Sequence, residues 1–400
     1  MGSSTDEVIA ISSHKKYKVI FGISQEFIYC IRFHESGALK ITLYSDPAFE
    51  FAMSNIFLTA ATGYIGGSVL DTLVKRHSEY HITVLLRTVP EGFTERYPNV
   101  KIVIGSFDDV DLIADTAAQN NIVIHGGKTK HVGSLNAHIE GLLRRPGPSF
   151  LIRLGGTGLI ADWQDGSNYG EMNPKVWSDI NDIDEITSLP DDYLHRNMDK
   201  IVQAAAHQHG DKLKCAIICP PGIYGPGKGM VRKQSLFIPE MGREILKLGS
   251  PYYTQSGENR RAWVHIDDLM ELYNAIVEAA VAGGGNAVWG REGYYFAATQ
   301  EASQKEMAKF AGKILKSHGL IKTEEPVQLS LETITEMRDG SDWHYMGLYT
   351  WGANTRCTAD RAKKYLGYES KAPTLWETME GDLLFEVERL AKIKSGERRR

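Results

Sequence analysis

Residues 55–77 have the sequence Asn-Ile-Phe-Leu-Thr-Ala-Ala-Thr-Gly-Tyr-Ile-Gly-Gly-Ser-Val-Leu-Asp-Thr-Leu-Val-Lys-Arg-His, and the fold prediction starts from them. The apolar run Ile56–Leu58 predicts a buried strand. A turn of small residues follows, after which apolar residues recur at helical spacing, at Ile65, Val69, Leu70, Leu73 and Val74. A strand, a glycine-containing turn and a helix in this order form the first unit of a dinucleotide-binding fold.

The turn of residues 60–66 holds the first candidate cofactor-binding residues. The amides and the dipole of a helix N-terminus bind a pyrophosphate where the backbone lets it come close, and glycines permit this approach. Ala60 occupies the first glycine position of the Gly-x-x-Gly-x-x-Gly form of this turn, where a Cβ costs little at negative φ and more at positive φ. The alternative is a turn that needs glycine only for packing. The candidates are Ala60, Thr62, Gly63, Tyr64, Ile65 and Gly66.

The residue at the end of the second predicted strand, His81–Leu86, indicates which cofactor is bound. An acidic residue about twenty positions after the glycines would bind the ribose hydroxyls, whereas an arginine can pair with a 2′-phosphate. Arg87 stands at this strand end and therefore favours NADP, with NAD as the alternative. Arg87 could also be only a solvated side chain at a strand end.

Two further strand ends contribute candidates for the cofactor site. After the third strand, Asp108 could accept a hydrogen bond from an adenine amino group with Phe107 beside the ring, or Asp109 could merely cap the next helix. The fourth predicted strand, 121–125, is followed by Gly126, where a small residue lets a cofactor cross the sheet. The proline- and glycine-rich loop after the sixth strand adds the last cofactor candidates, Pro220 and Ile223.

The composition excludes several classes of protein. In 400 residues, a net charge of -5 with mixed signs argues against a nucleic-acid partner. The cysteines have neither metal-ligand spacing nor a disulfide pattern, which predicts no metal site and a reducing compartment. No apolar run approaches the length of a membrane span, and no signal-peptide pattern is present. We therefore expect a soluble, cytoplasmic protein without a membrane partner.

Residues 1–52 precede the first strand of this fold and are expected to contribute nothing to its chemistry. The opening residues 1–7 are predicted to be disordered. Three later stretches have strand-like sequences, at Tyr17–Ile23, 27–33 and Leu39–Tyr44, with a hairpin turn at 34–37. Two interpretations follow: an appended hairpin, or a stretch upstream of a true start at Met53, and the second is preferred.

Four motifs, in the right order along residues 54–385, give a family resemblance. They are Thr62-Gly63-Tyr64-Ile65-Gly66, Pro220-Pro221-Gly222-Ile223-Tyr224-Gly225-Pro226-Gly227, Val264-His265-Ile266-Asp267-Asp268-Leu269 and Asn354-Thr355-Arg356. Together they resemble the extended short-chain dehydrogenase/reductase superfamily, and within it the atypical members that are NmrA-like or NAD-dependent epimerase/dehydratase-like.

The resemblance implies an α/β fold, a doubly wound parallel sheet of the NAD(P)-binding Rossmann type with a smaller C-terminal substrate domain. The boundaries predicted from it are 1–52 for an N-terminal extension, 53–228 for the nucleotide-binding domain, 229–388 for the substrate lobe and 389–400 for a charged tail. Residues 262–283 are expected to return to the nucleotide-binding domain. The resemblance also implies a homodimer.

Catalytic members of this superfamily carry a Tyr-x-x-x-Lys pair on the helix before the sixth strand. The lysine lowers the pKa of the tyrosine and holds the nicotinamide ribose. On the predicted helix 193–209, Tyr193 is followed at this spacing by Asn197, and the pairs found elsewhere lie in a strand and a loop. The usual pair is therefore absent. The active-site serine of the superfamily is also missing, with Gly155 or Thr157 in its place.

Three residues remain as candidate catalytic groups. Thr157 follows the fifth strand at the ligand-facing edge of the sheet and could hydrogen-bond a substrate oxygen. His195 could act as a general acid near neutral pH, with Arg196 holding an anionic group. Tyr193 is the alternative acid. The remaining interpretation is a polar helix edge without chemistry.

These features predict an NADP-preferring oxidoreductase that moves hydride between nicotinamide and a carbonyl or alcohol of a small-molecule substrate. The rival is a non-catalytic NADP-binding regulator of the NmrA-like type, which needs no acid. A nucleotide-sugar epimerase is disfavoured because such enzymes need the tyrosine and the lysine. An apolar cleft beside Thr157 and His195 would favour an enzyme, and a flat polar surface there would favour the regulator.

Overall fold

The computed structural model describes residues 7–14, 17–23, 28–34, 39–44, 54–127, 130–164, 166–337, 341 and 343–394. The chain divides into two compact units, Met1–Met53 and Ser54–Arg400. In the first unit, an antiparallel sheet in chain order is formed by β1 (Glu7–His14), β2 (Tyr17–Ile23), β3 (Ile28–His34) and β4 (Leu39–Tyr44).

The sequence predicted three of these strands within one residue at each end. β1 was not predicted from the sequence. Its few apolar residues directly follow the polar residues at the start of the chain and form only a short pattern. Glu7, expected to be disordered, begins β1. Of the hairpin turn predicted at 34–37, His34 is the last residue of β3, and residues 35–37 lie outside the described residues.

The second unit alternates strands and helices in its first half. Its strands are β5 (Asn55–Thr59), β6 (His81–Leu86), β7 (Lys101–Ile104), β8 (Ile122–His125), β9 (Ser149–Leu154), β10 (Trp177–Ser178), β11 (Leu213–Cys219), β12 (Gly222–Tyr224), β13 (Tyr252–Thr254), β14 (Arg260–His265), β15 (Tyr294–Phe296), β16 (Gln300–Ser303), β17 (Val327–Leu329) and β18 (Cys357–Thr358). Its helices are α1 (Tyr64–Arg76), α2 (Phe93–Arg96), α3 (Val110–Ala117), α4 (Val132–Arg144), α5 (Ile183–Ser188), α6 (Arg196–His209), α7 (Phe237–Leu248), α8 (Ile266–Val281), α9 (Gln304–Ser317), α10 (Leu331–Glu336), α11 (Asp360–Leu366) and α12 (Leu375–Lys394).

The central sheet has the order β15-β11-β9-β8-β5-β6-β7, and all its strands are parallel. Chain order reverses between β5 and β8, so the sheet is doubly wound and has its switch point there. Ile56, Phe57 and Leu58 of β5 are completely buried, because a parallel sheet is covered by helices on both faces. The predicted fold class is confirmed.

The C-terminal lobe has its own hydrophobic core. α7 and α9 pack against α12, and Ile238, Met307 and Leu383 from these three helices are buried together. The small sheet β12-β14-β16 lies beside them. β12 falls inside the loop predicted to be irregular, and it is a strand because its backbone pairs with β14.

The helices of this lobe begin later than their apolar patterns predicted. The apolar pattern of residues 230–248 predicts a helix, but α7 begins only at Phe237. The pattern of residues 300–318 also predicts a helix, but β16, which pairs antiparallel with β14, occupies the first four of these residues. Ser303 then starts α9 through a capping box with Glu306, so the side-chain cap and the strand pairing together set the boundary.

The final helix, α12, runs to Lys394 and so enters the segment expected to be a charged tail. Among the described helices, none combines the length and the apolar character that a membrane crossing requires.

Candidate active site

Three adjoining cavities lie at the carboxyl ends of the central strands, where a doubly wound sheet binds its ligands. The Arg87 cavity, of about 620 Å³, is lined by residues that include Ala60, Thr62, Gly63, Arg87, Ser106 and Phe107. The turn cavity, of about 360 Å³, is lined by residues that include Gly63, Tyr64, Ile65, Gly66, Gly126 and Pro221. The His195 cavity, of about 480 Å³, is lined by residues that include Gly156, Thr157, His195, Pro220, Arg261 and Tyr349.

The three cavities form one continuous cleft. Ala60 and Gly63 line both the Arg87 cavity and the turn cavity. Ile65 and Ile223 line both the turn cavity and the His195 cavity. The structure therefore brings most of the predicted cofactor residues, and two of the three predicted catalytic residues, to a single cleft.

The turn after β5 contains close backbone contacts. Ala60 has a φ of +60°, so it adopts the left-handed conformation in which a Cβ is costly. A Cβ on Gly66 would collide with the carbonyl oxygen of Ala60, and one on Gly126 would stand 2.7 Å from the carbonyl oxygen of Thr59. Gly66 and Gly126 are therefore needed for packing as well as for lining the turn cavity.

The N-terminus of α1 is open towards the turn cavity. Gly63 is the residue that precedes the helix, and no side-chain hydrogen bond caps it. The N–H of Gly63 itself donates to the carbonyl oxygen of Ala60, 3.0 Å away. The amides of the first helical turn therefore have no side-chain partner at this end, which is the arrangement that binds anions.

Thr62 and Tyr64 hold the loop that covers this turn. The hydroxyl of Tyr64 donates to the carbonyl oxygen of Gly225 at 2.8 Å, and the N–H of Val231 donates to the carbonyl oxygen of Thr62 at 3.0 Å. Burial raises the pKa of Tyr64 well above its usual range, so the side chain stays a neutral donor. Both contacts are structural links between the turn and the loop.

The Arg87 cavity contains two of the three side chains expected around the adenosine. Arg87 is exposed at its edge and forms no ion pair with any described residue, and the half-buried Phe107 lines its wall. Asp108 lies outside the lining, with Oδ1 3.0 Å from Nε2 of His131. Asp109 precedes α3 without capping it, because its carboxylate accepts from the N–H of Ser106 instead, at 2.6 Å.

Thr157 lies at the floor of the His195 cavity. Its side chain is almost fully buried, and its N–H donates to the carbonyl oxygen of Pro220 at 3.1 Å. This bond fastens the turn after β9 to the loop after β11. Pro220 lines the His195 cavity, whereas Ile223 also reaches the turn cavity.

His195 precedes α6 with a left-handed backbone, at a φ of +71°. Its ring lies against Gly156, where a Cβ would stand only 3.0 Å from Nε2. Nδ1 is buried without a hydrogen-bond partner among the described residues. Burial lowers the pKa of His195 to about 4, helped by the positive charges of Arg153 and Lys130. The ring is therefore neutral at neutral pH, and it lacks the second proton that the expected general acid would donate.

Tyr193 and Arg196 are placed away from the cleft. Tyr193 is half-buried and packs against the main hydrophobic core, and it is not part of the lining of the three cavities. Arg196 is completely buried and donates to the carbonyl oxygens of Leu189 and Thr187 at 3.2 and 2.9 Å. Its guanidinium is thus committed to the protein and does not face the cleft as an anion site.

An ion pair between Arg153 of β9 and Asp199 of α6 lies under this floor, with both side chains completely buried. Burial raises the pKa of Asp199 to about 6, against the opposing effect of the Arg153 and Arg196 charges. Nη1 of Arg153 lies 3.5 Å from the position of a Cβ on Gly155. A guanidinium that is paired with a carboxylate therefore lies close beneath the cavity.

Sequence reasoning missed the side chains that the C-terminal lobe contributes to the His195 cavity. Arg261 is nearly buried, and its guanidinium lies 4.6 Å from the ring centroid of Phe237 and 5.2 Å from that of Tyr349. Its Nη2 donates to the carbonyl oxygen of Tyr349 at 2.7 Å. Arg261 stands three residues before the Val264–Leu269 motif, and this proximity was the signal in the sequence that could have identified it. Nothing in the sequence pointed to Phe237 or Tyr349.

Comparison with known proteins relates the chain to enzymes that use a dinucleotide cofactor. The model of the NAD dependent epimerase/dehydratase family matches residues 170–289. The oxidase ucsJ of Acremonium sp. is 30% identical over 349 residues, which cover 84% of this chain and 98% of that protein. DesIV, a dTDP-glucose 4,6-dehydratase from Streptomyces venezuelae solved with NAD bound, has a TM-score of 0.57 at 16% identity, covering 84% of this chain and 98% of its own. UDP-glucose 4-epimerase from Thermotoga maritima has a TM-score of 0.56 at 17% identity, covering 84% and 99%.

The two solved structures are similar in fold to this chain over 84% of its length. The similarity to the oxidase extends over nearly the whole length of that relative, and the family model covers the loop after β11 and the Val264–Leu269 motif. The chain therefore belongs to the NAD-dependent epimerase/dehydratase family, within the extended short-chain dehydrogenases/reductases.

Proposed function

We propose that this protein is an NADP-preferring oxidoreductase that transfers hydride between nicotinamide and a carbonyl or alcohol group of a small organic molecule. The continuous cleft carries the proposal, because its cavities run from Arg87 past the N-terminus of α1 to His195. A dinucleotide presents an adenosine, a pyrophosphate and a nicotinamide in the same order. The relatives support this class, since one is described as an oxidase and one solved structure contains NAD.

The residues of the cleft fit such a cofactor. The open amides at the start of α1 would bind the pyrophosphate, and Gly63 places no side chain in its path. Phe107 would flank the adenine, and Gly126 leaves room above the sheet. Ala60 departs from the usual glycine, but its backbone keeps the left-handed conformation that a glycine would adopt there.

Arg87 supports the preference for NADP. Its side chain is exposed at the cavity edge directly after β6, and the described residues offer it no carboxylate. An acidic residue at this strand end would bind the ribose hydroxyls of NAD, whereas an arginine pairs with the 2′-phosphate of NADP. The charge of Arg87 is therefore available for that phosphate.

The composition of the His195 cavity favours an enzyme over a regulator. Its walls are mostly apolar, with Leu154, Phe237 and Met346, and a few polar groups such as Thr157 and Arg261 face into it. This mixture is typical of a site that encloses a small molecule. The absence of the Tyr-x-x-x-Lys pair from α6 favours the rival function, a non-catalytic NADP-binding regulator.

The protein groups would chiefly position the reactants. When bound, the nicotinamide supplies or accepts the hydride. Thr157 and the neutral ring of His195 would hydrogen-bond the reacting oxygen, and Arg261 would hold an anionic or polar group of the substrate. The apolar walls would keep water away from the reacting carbon.

A fluorescence titration with NADPH and with NADH tests the proposal. We expect saturable binding of both, tighter for NADPH. Binding should be lost in Gly63→Val, whose side chain would block the pyrophosphate, and kept in Gly147→Val, a glycine without atoms within 4 Å of its added Cβ. The titrated protein is then mixed with NADPH and aromatic ketones or quinones, and NADPH absorbance is followed. Absence of cofactor binding contradicts the proposal, and binding without turnover of any carbonyl supports the regulator instead.

A further inference from the structure

We propose that Tyr349 donates the proton to the substrate oxygen, in place of the tyrosine that other superfamily members carry on the helix before the sixth strand. Tyr349 belongs to Leu348–Gly352, a single π-helical turn of the C-terminal lobe. This inference rests on the proposed function, a hydride transfer to a carbonyl, and it identifies the group that completes that reaction.

Two polar atoms lie close to the same glycine of the His195 cavity. A Cβ on Gly158 would stand 3.0 Å from Oη of Tyr349 and 3.5 Å from Nε2 of His195. Because Gly158 has no side chain, it leaves room in the cavity beside these two atoms, and Cδ1 of Leu194 is the third neighbour, at 3.1 Å from the same Cβ position. A carbonyl oxygen in van der Waals contact with Gly158 would have the phenol and the imidazole nitrogen as its polar neighbours.

The phenol is better suited than His195 to give up a proton at this point. Burial and two neighbouring positive charges hold the pKa of His195 at about 4, so its ring is neutral at neutral pH. A neutral imidazole can donate a hydrogen bond, but it has no second proton to transfer. A tyrosine hydroxyl is a donor that carries such a proton.

Arg261 supports Tyr349 in the way a lysine supports the tyrosine of the usual pair. Its guanidinium lies 5.2 Å from the ring centroid of Tyr349, and its Nη2 donates to the backbone carbonyl of the same residue. The N–H of Tyr349 donates to the carbonyl oxygen of Tyr345 at 2.8 Å. The ring is thus held in place next to a positive charge, which stabilises a phenolate as the proton leaves.

The substrate carbonyl carbon accepts the hydride, and the electron pair of its π bond moves to the oxygen. That oxygen takes the proton of Tyr349, whose O–H bond breaks and leaves its electron pair on the phenolate. The carbonyl is reduced to an alcohol as the NADPH is oxidised to NADP⁺, and the phenolate recovers a proton from water after the alcohol leaves.

Tyr349→Phe tests the assignment, with Tyr345→Phe as the matched control. Tyr345 is exposed, lies four residues earlier and does not line the cavity. Three quantities are measured: the Kd of NADPH, the Kd of 9,10-phenanthrenequinone for protein saturated with NADP⁺, and kcat for reduction of this quinone across pH. In Tyr349→Phe we expect an unchanged Kd for NADPH, a Kd for the quinone raised by about 3- to 10-fold, and kcat lowered by about 10²- to 10⁴-fold. The control should match the wild type in all three.

Gly158→Ala provides a second test that keeps the phenol. Its Cβ would stand 3.0 Å from Oη of Tyr349 and take up the room beside the two polar atoms, so quinone binding should be lost while NADPH binding stays, and Gly147→Ala should change neither. If the wild type binds no NADPH, the proposed function itself fails. If NADPH binds and Tyr349→Phe reduces the quinone as fast as the wild type, only the assignment of Tyr349 is overturned. A wild type that binds NADPH but neither binds nor reduces the quinone also overturns it.

Discussion

The hydroxyl of Tyr64 donates a hydrogen bond to the carbonyl oxygen of Gly225, 2.8 Å away and 161 residues later in the chain. The N–H of the same glycine donates to the carboxylate of Asp382 on α12, at 2.9 Å. Gly225 is therefore held from two sides, by the first residue of α1 and by the last helix. The turn that would bind the pyrophosphate is connected in this way to the C-terminal lobe.

Tyr64→Phe removes the hydroxyl and leaves the buried carbonyl of Gly225 without this donor. We expect the free energy of unfolding to fall by about 1–3 kcal/mol, the usual cost of an unsatisfied buried group. NADPH should also bind several-fold more weakly, because the loop no longer fixes the turn. Chemical denaturation and fluorescence titration measure the two effects, with Tyr345→Phe as an exposed control. An unchanged free energy of unfolding would mean that the bond contributes nothing.

Ala60→Gly should stabilise the protein. Ala60 has a φ of +60°, where alanine is less favourable than glycine by about 1–2 kcal/mol, and the greater freedom of glycine in the unfolded chain offsets part of this gain. We expect a net increase of up to about 1 kcal/mol in the free energy of unfolding. The adjacent Ala61→Gly is the matched control and should be destabilising, because Ala61 is buried and has no positive φ. A loss of stability in Ala60→Gly would mean that the positive φ of Ala60 does not cost the folded protein free energy.

The strands around the switch point were predictable because each is a short apolar run bounded by turn residues. Within the sheet, β6 has the predicted bounds. The predicted strands 56–58, 100–104, 121–125, 150–154 and 214–218 agree with β5, β7, β8, β9 and β11 within one residue at each end. The C-terminal lobe was harder, because its boundaries depend on partners far away in sequence. Gln300–Ser303 continues the amphipathic pattern of α9, but its backbone pairs with β14 and is therefore extended.

The candidate site was predictable where residues directly follow the strands of a parallel sheet. This rule located Gly63, Arg87 and Thr157. It could not locate Arg261 or Tyr349, because these side chains reach the cleft from the other lobe and meet it only through tertiary packing. The neutral state of His195 was also hidden, since it depends on burial.

Arg87→Asp should reverse the cofactor preference. The substitution replaces a cation that pairs with the 2′-phosphate by a carboxylate that repels it and can accept from ribose hydroxyls. We expect the Kd of NADPH to rise by about 10- to 100-fold, with little loss for NADH. Arg291→Asp is the control, because Arg291 is exposed and lies outside the lining of the cleft. An unaltered ratio of the two Kd values would remove Arg87 from the site.

Deletion of residues 1–52 should leave a folded protein that binds NADPH. The unit Ser54–Arg400 is compact by itself and contains every residue that lines the three cavities. We expect the Kd of NADPH to stay within about twofold of the full chain, a difference well below the 1.4 kcal/mol of a tenfold change. Loss of soluble protein on this deletion would show that the segment is structural.

His138→Leu should make the protein less sensitive to acid. His138 on α4 is completely buried, and neither ring nitrogen has a partner among the described residues. Burial lowers its pKa to about 3, whereas an unfolded histidine takes up a proton near pH 6.5. Between these values the unfolded chain binds more protons, so the wild type is at its most stable above about pH 6.5 and loses stability as the pH falls towards 3.

The leucine variant has no proton to bind at this position in either state. Between pH 7 and pH 4.5 its free energy of unfolding should therefore fall by about 2–3 kcal/mol less than that of the wild type. The ring of His125 lies 5.1 Å away and its pKa is also lowered by burial, so part of the acid sensitivity should remain. Denaturation curves at several pH values measure the difference. His207→Leu, which replaces an exposed histidine of α6, is the control and should leave the pH dependence much closer to that of the wild type. Parallel curves for His138→Leu and the wild type would show that His138 accepts a proton in the folded state.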